Sequence, residues 1–126
     1  MFMTYNPESD PVVETHPGIP SLQVMQDAVG GLIEPVMLWD DEEGSVDMYV
    51  NEEGLYMCEP TMVLMQEWGP QVIHGPVIFS RIRYRDGENV GLSFEDVKRV
   101  SRFLRGPEPR FAITSAGLLP VMEVVE

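Results

Sequence analysis

A chain of 126 residues with 21 Asp and Glu against eight Lys and Arg carries a net charge of −13, which disfavours nucleic acid and anionic membrane as direct ligands. A single cysteine excludes an internal disulfide, and no apolar run approaches the ~20 residues of a membrane-spanning helix. Apolar content of 44% is that of an ordinary globular domain, so the charge does not signal disorder.

The charge is unevenly placed. The first eighty residues hold fourteen acids and no Lys or Arg, and all eight basic residues lie between Arg81 and Arg110. Residues 1–11, with Asn6, Pro7, Glu8, Ser9, Asp10 and Pro11, read as a flexible polar lead-in to a single domain over 12–126. Val12 and Val13 open a short strand before the His16-Pro17-Gly18 turn. Ser21 is an N-cap for a helix whose apolar face is Leu22, Met25, Ala28 and Val29, ended by Gly30-Gly31.

Two strands follow, Leu32–Leu38 and Val46–Val50, joined by Asp40-Asp41-Glu42-Glu43-Gly44. In the second, Val46, Met48 and Val50 face one way while Asp47 and Tyr49 face the other. The turn Asn51-Glu52-Glu53-Gly54 leads into a strand-like Leu55–Cys58. Met62, Val63, Met65 and Gln66 suggest one or two helical turns before Gly69-Pro70. Val72 to Arg85 reads as one long strand interrupted at Gly75-Pro76, and Asp86-Gly87 as a reversal. Ser93 opens a second helix with Phe94, Val97, Val100 and Leu104 on its apolar face, stopped by Gly106-Pro107. One or two strands around Ala116-Gly117 complete an α+β domain. The expected architecture is a largely antiparallel sheet of about five strands with both helices packed on one face, burying Leu22, Met25, Val97, Val100 and Leu104.

Candidate chemistry is sparse. Cys58 with His16 or His74 has the elements of a nucleophile and base, but the apolar setting of Cys58 reads as a buried, inert thiol. Four consecutive acids cannot present the alternating ligands of a calcium loop. No phosphate loop, dinucleotide fingerprint or zinc pattern occurs. The expectation is therefore a non-enzymatic protein with no cofactor and no metal. Arg81, Arg83 and Arg85 share one side of a strand at period two. They either pair with the chain's own acids, Asp47 foremost, or form an anion-binding strip for a nucleotide-like molecule. Trp39 with Asp40, Asp41, Glu42 and Glu43, joined by Glu52 and Glu53, would make an anchor-and-steering patch for a basic protein.

Four stretches in order also resemble a known family: Leu22–Glu34 (LQVMQDAVGGLIE), Tyr49–Gly54 (YVNEEG), Ile73–Ile78 (IHGPVI) and the helix opened by Leu92-Ser93. They resemble a small domain-of-unknown-function family, number three-eight-four-six, seen in phages and mobile elements. The resemblance spans about residues 12–105, departs at 59–71, where Glu59-Pro60-Thr61-Met62 stands, and leaves the tail outside. It implies a phage or mobile-element accessory protein. The glycines and turn residues of these motifs read as fold-specifying. Combined with the charge, the expected function is docking of an acidic face onto a basic host protein, in imitation of nucleic-acid phosphates, within the host cytoplasm. A small-ligand binder built on the Arg strip is the alternative, and a homodimer is left open.

Overall fold

The computed structural model describes residues 1–105 and 110–124. Its first sheet is five-stranded and antiparallel throughout. It is built from β1 (Phe2–Tyr5), β2 (Val13–His16), β3 (Ile33–Asp40), β4 (Gly44–Asn51) and β7 (Val77–Arg83), in the order β2-β1-β7-β4-β3. The second sheet has β5 (Pro60–Gln66), β6 (Gly69–His74), β8 (Phe111–Thr114) and β9 (Gly117–Glu123) in the order β6-β5-β9-β8. Its β5–β9 pair is parallel.

The N-terminal residues are not a loose lead-in. Met3 is buried and β1 lies between β2 and β7. The apolar side chains of Met3 and Tyr5 alternate inward, a period-two signal that the polar residues after Tyr5 obscure.

β4 is buried along its whole length because it is an inner strand covered on both faces. Val46, Met48 and Val50 enter the main core with Met62, Leu64 and Ile73 of the second sheet. Tyr49 points the other way, into a smaller cluster with Met25 and Val29 of α1 (Leu22–Val29). The expected alternation of this strand is observed.

The helices occupy opposite faces of the five-stranded sheet. α1 packs on Tyr49 and Ile78, whereas α3 (Phe94–Arg105) sends Phe103 against Phe79, ring centroids 6.3 Å apart. Ile78 and Phe79 are consecutive in β7, so their side chains leave on opposite sides. A shared face for both helices is therefore not formed, because the second sheet and α3 together cover the side away from α1. Ser21 caps α1 as expected, its Oγ accepting from the Val24 N–H at 3.1 Å, and Gly30 closes it at φ +79. Leu22, assigned to the buried face, is exposed at the first turn.

Three further segments differ from expectation. Residues 60–71 form most of the β5–β6 hairpin rather than helical turns, since Met62 and Leu64 alternate into the core at period two. Leu55–Cys58 is mostly a single helical turn, α2 (Gly54–Met57), and Cys58 is half-buried. The long strand foreseen over 72–85 divides into β6 and β7, which belong to different sheets. Gly75 at φ +84 and the missing N–H of Pro76 interrupt pairing and let the chain cross between them. The helix stop at Gly106-Pro107 lies outside the described residues.

Candidate functional site

The acidic run forms the tip of the β3–β4 hairpin. Asp40, Asp41, Glu42 and Glu43 are all exposed. Asp41 organises the turn: its Oδ1 accepts the Glu43 N–H at 2.9 Å and the Gly44 N–H at 3.0 Å. Those N–H groups, the Glu43 one first, and the nearby Arg81 outweigh residual desolvation and hold the Asp41 carboxyl below its usual range. Gly44 lies so close to β7 that a Cβ there would stand 2.0 Å from the Ile82 carbonyl oxygen. Glu43 accepts from the Tyr84 N–H at 2.8 Å, and the Tyr84 hydroxyl donates to Asp40 at 2.8 Å. The tip is thus held at both its backbone and its side chains.

Arg81 joins this tip to the start of α3. Its Nε and Nη2 donate to the two oxygens of Asp96 at 2.9 Å each, a bidentate fork, while Nη1 lies 3.0 Å from Asp41 Oδ2. Asp96 in turn accepts the Ser93 N–H at 3.0 Å, and Ser93 Oγ accepts the Asp96 N–H at 3.1 Å, a reciprocal cap of the helix. Burial opposes the charged form of Asp96. The Arg81 fork and the Ser93 N–H prevail and keep its carboxyl below the ordinary value. The same fork raises the Arg81 guanidinium above its usual value.

The expected arginine strip is not a single surface. Arg81 is committed to Asp96 and Asp41, Arg83 pairs with Asp86 at 2.6 Å, and Arg85 lies beyond the end of β7. The Arg83 fork, its Glu88 N–H neighbour and nearby charge bring Asp86 down to about 2. Asp47 is not an arginine partner. The register sets Arg81 opposite Val46 and Asp47 opposite Ser80, so the carboxylate emerges on the other face. There Asp47 is buried, Oδ1 has no hydrogen-bond partner among the described residues, and desolvation raises its carboxyl above the ordinary value. A cleft of about 500 Å3 between Pro7, Met57, Pro76 and Leu118 does not include Arg81, Arg83 or Arg85 in its lining.

Trp39 is buried rather than displayed. It meets Phe103 edge-on at 6.4 Å and lies beneath the Arg99 guanidinium, 4.4 Å from the ring centroid. The bulge between Met37 and Trp39 reorients the strand here. Met37 is left exposed beside Tyr84, whose hydroxyl lies 3.9 Å from its sulfur. Glu52 and Glu53 are exposed at the opposite end of β4, roughly 25 Å from the tip at 3.3 Å per residue. The structure therefore groups Asp40, Asp41, Glu42 and Glu43 with Met37 and Tyr84, and leaves Trp39, Glu52 and Glu53 out. Sequence reasoning missed Tyr84, which a strand-end aromatic after two arginines could have flagged, and Asp96, visible as the third residue after the Ser93 cap.

The VGG, NEEG and IHG motifs meet in space. The Asn51 side chain donates to the Val29 carbonyl at 3.1 Å and accepts the Glu53 N–H at 2.8 Å. A Cβ on Gly31 would stand 3.0 Å from Asn51, and one on Gly54 would stand 3.0 Å from the His74 carbonyl oxygen. His74 Nδ1 lies 3.0 Å from the carbonyl oxygen of Cys58, and His16 stacks on Phe2. Residues 1–105 match the family model described as domain of unknown function DUF3846. The chain belongs to this family. The DUF3846 match takes in β1, beyond the stretch that the motifs alone delimit, and leaves β8 and β9 outside. No curated protein and no solved structure matches the chain.

Proposed function

We propose that this DUF3846 protein is a non-enzymatic binding protein, an accessory of phage or mobile-element origin. In this reading the β3–β4 tip docks on a basic surface of a host protein. The observation that carries the reading is the arrangement of the tip: four exposed acids on a turn held by Asp41, Arg81, Gly44 and Tyr84. Among the described residues the ion pair at the tip is that of Asp41 with Arg81, so the exposed Asp40, Glu42 and Glu43 offer their charge for steering. Little conformational entropy remains to be lost on docking, because the turn is already ordered. Met37 and Tyr84 supply the contact surface that Trp39 does not, being half exposed at 52% and 50%. Carboxylates in series on a rigid turn imitate backbone phosphates, which suits a target whose normal ligand is nucleic acid.

The test compares wild-type bait with Glu42→Gln/Glu43→Gln bait in host lysate, followed by binding kinetics of the recovered partner. Both side chains are exposed, so the expected result is a basic partner whose association rate falls with salt and falls again with the double replacement. A partner indifferent to both would overturn the reading.

A further inference from the structure

We propose that two copies of this chain pair through β8 to form a dimer with one continuous eight-stranded sheet. The described residues form two sheets with four edges, and three carry features that block pairing. β2 bears Glu14, β3 bears Glu34, Pro35 and the Met37/Trp39 bulge, and β6 begins Gly69-Pro70. β8, Phe-Ala-Ile-Thr, bears none of these. It lies in Phe111–Met122, twelve residues without an acidic or basic side chain. Arg110 and Glu123, which bracket it, pair with each other. In a chain of net charge −13 an edge without charged side chains lets a second copy approach against little local repulsion.

The hydrogen-bond phase of β8 makes the edge self-complementary. The Val121 N–H donates to the Arg110 carbonyl at 2.9 Å, and the register runs Phe111 to Pro120, Ala112 to Leu119 and Ile113 to Leu118. Antiparallel pairs alternate between bonded and non-bonded, so the N–H and C=O groups of Phe111 and Ile113 point away from β9. Pro120, which has no N–H, sits in a non-bonded pair accordingly. A two-fold axis through Ala112 sets Phe111 of each copy opposite Ile113 of the other, where the outward groups exchange four hydrogen bonds. The same register keeps the apolar side chains of both copies on one face. Phe111, Ile113 and Leu118, exposed at 61%, 90% and 67%, then form a single strip across the two-fold.

Sedimentation velocity of the full chain from micromolar to millimolar concentration tests this. The expected result is a reversible dimer that tightens with salt, because two like-charged copies are screened; this sign is opposite to that of the acidic-tip interaction. Ile113→Lys should weaken dimerisation at least tenfold with unchanged melting, and Glu42→Gln/Glu43→Gln should leave it intact. Ala112→Cys in a Cys58→Ser background should give a disulfide-linked dimer on mild oxidation, since the two-fold brings the Ala112 Cα atoms to about 4.5 Å. A chain that stays monomeric throughout and does not cross-link, or a dimer indifferent to Ile113→Lys, overturns the proposal.

Discussion

The two ends of β4 carry turns of nearly the same composition, Asp-Asp-Glu-Glu-Gly before it and Asn-Glu-Glu-Gly after it, yet they serve different purposes. At the Asn51 end the organising side chain is itself buried, and it satisfies a helix carbonyl and a turn N–H inside the fold. At the Asp41 end the organising side chain is exposed and turns a fixed charge outward, while its Arg81 partner reaches back to the cap of α3. The lesson is that an acidic turn is defined by what its first side chain binds. Amide to helix end makes a structural junction; carboxylate to arginine makes a rigid charged surface.

The comparison can be broken most forcefully at Asp96. Asp96→Ala removes the carboxylate half of the reciprocal cap and leaves the Arg81 guanidinium without its main acceptor, which should lower stability by about 3 kcal/mol. The Asp96 carboxyl lies below its ordinary value of 3.8 in the fold, so its contribution is present above that value and is lost as the pH falls through the folded value. Acid unfolding of the variant should lack that component, as chemical denaturation at stepped pH will measure.

At the other end, Asn51→Ala should cost about 2 kcal/mol, because the Val29 carbonyl and the Glu53 N–H lose their partner. Loss of hydrogen-exchange protection should concentrate in α1 and leave α3 protected. Equal loss in both helices would mean that the two ends of β4 are not separable.

Asp47, on the α1 side of β4, should respond in the opposite direction. Its carboxyl is raised by burial, so its favourable contribution is full below the unfolded value of 3.8 and is lost as the pH rises through the folded value. Asp47→Asn should therefore stabilise the protein by about 1 kcal/mol at neutral pH and have no effect in strong acid. Melting curves of the two proteins that stay parallel across pH would refute the assignment. Smallest of all should be Glu42→Gln/Glu43→Gln, with melting unchanged and only binding kinetics altered.

Much of this was legible in the residues. Ser21 and Gly30 mark the ends of α1 because capping and left-handed geometry are local properties of one or two residues. The two faces of β4 follow from its period-two pattern, and the acidic hairpin tip from four consecutive charges before a glycine. Residues 60–71 were misread because Met62 to Gln66 fits either period, and only burial against Ile73 and Met122 selects the strand. β1 was missed because four residues before a polar stretch carry too little pattern.

What no local signal could decide is which face and which partner. Composition and order determined an α+β chain with an acidic turn and a cluster of arginines. Strand register then decided that Arg81 meets Asp96 and Asp41 while Asp47 faces the other way, since a shift of one residue would exchange the two faces. Packing decided that Trp39 serves the core and Tyr84 the surface. Both outcomes depend on residues far apart in the chain, and only the closed sheet brings them together.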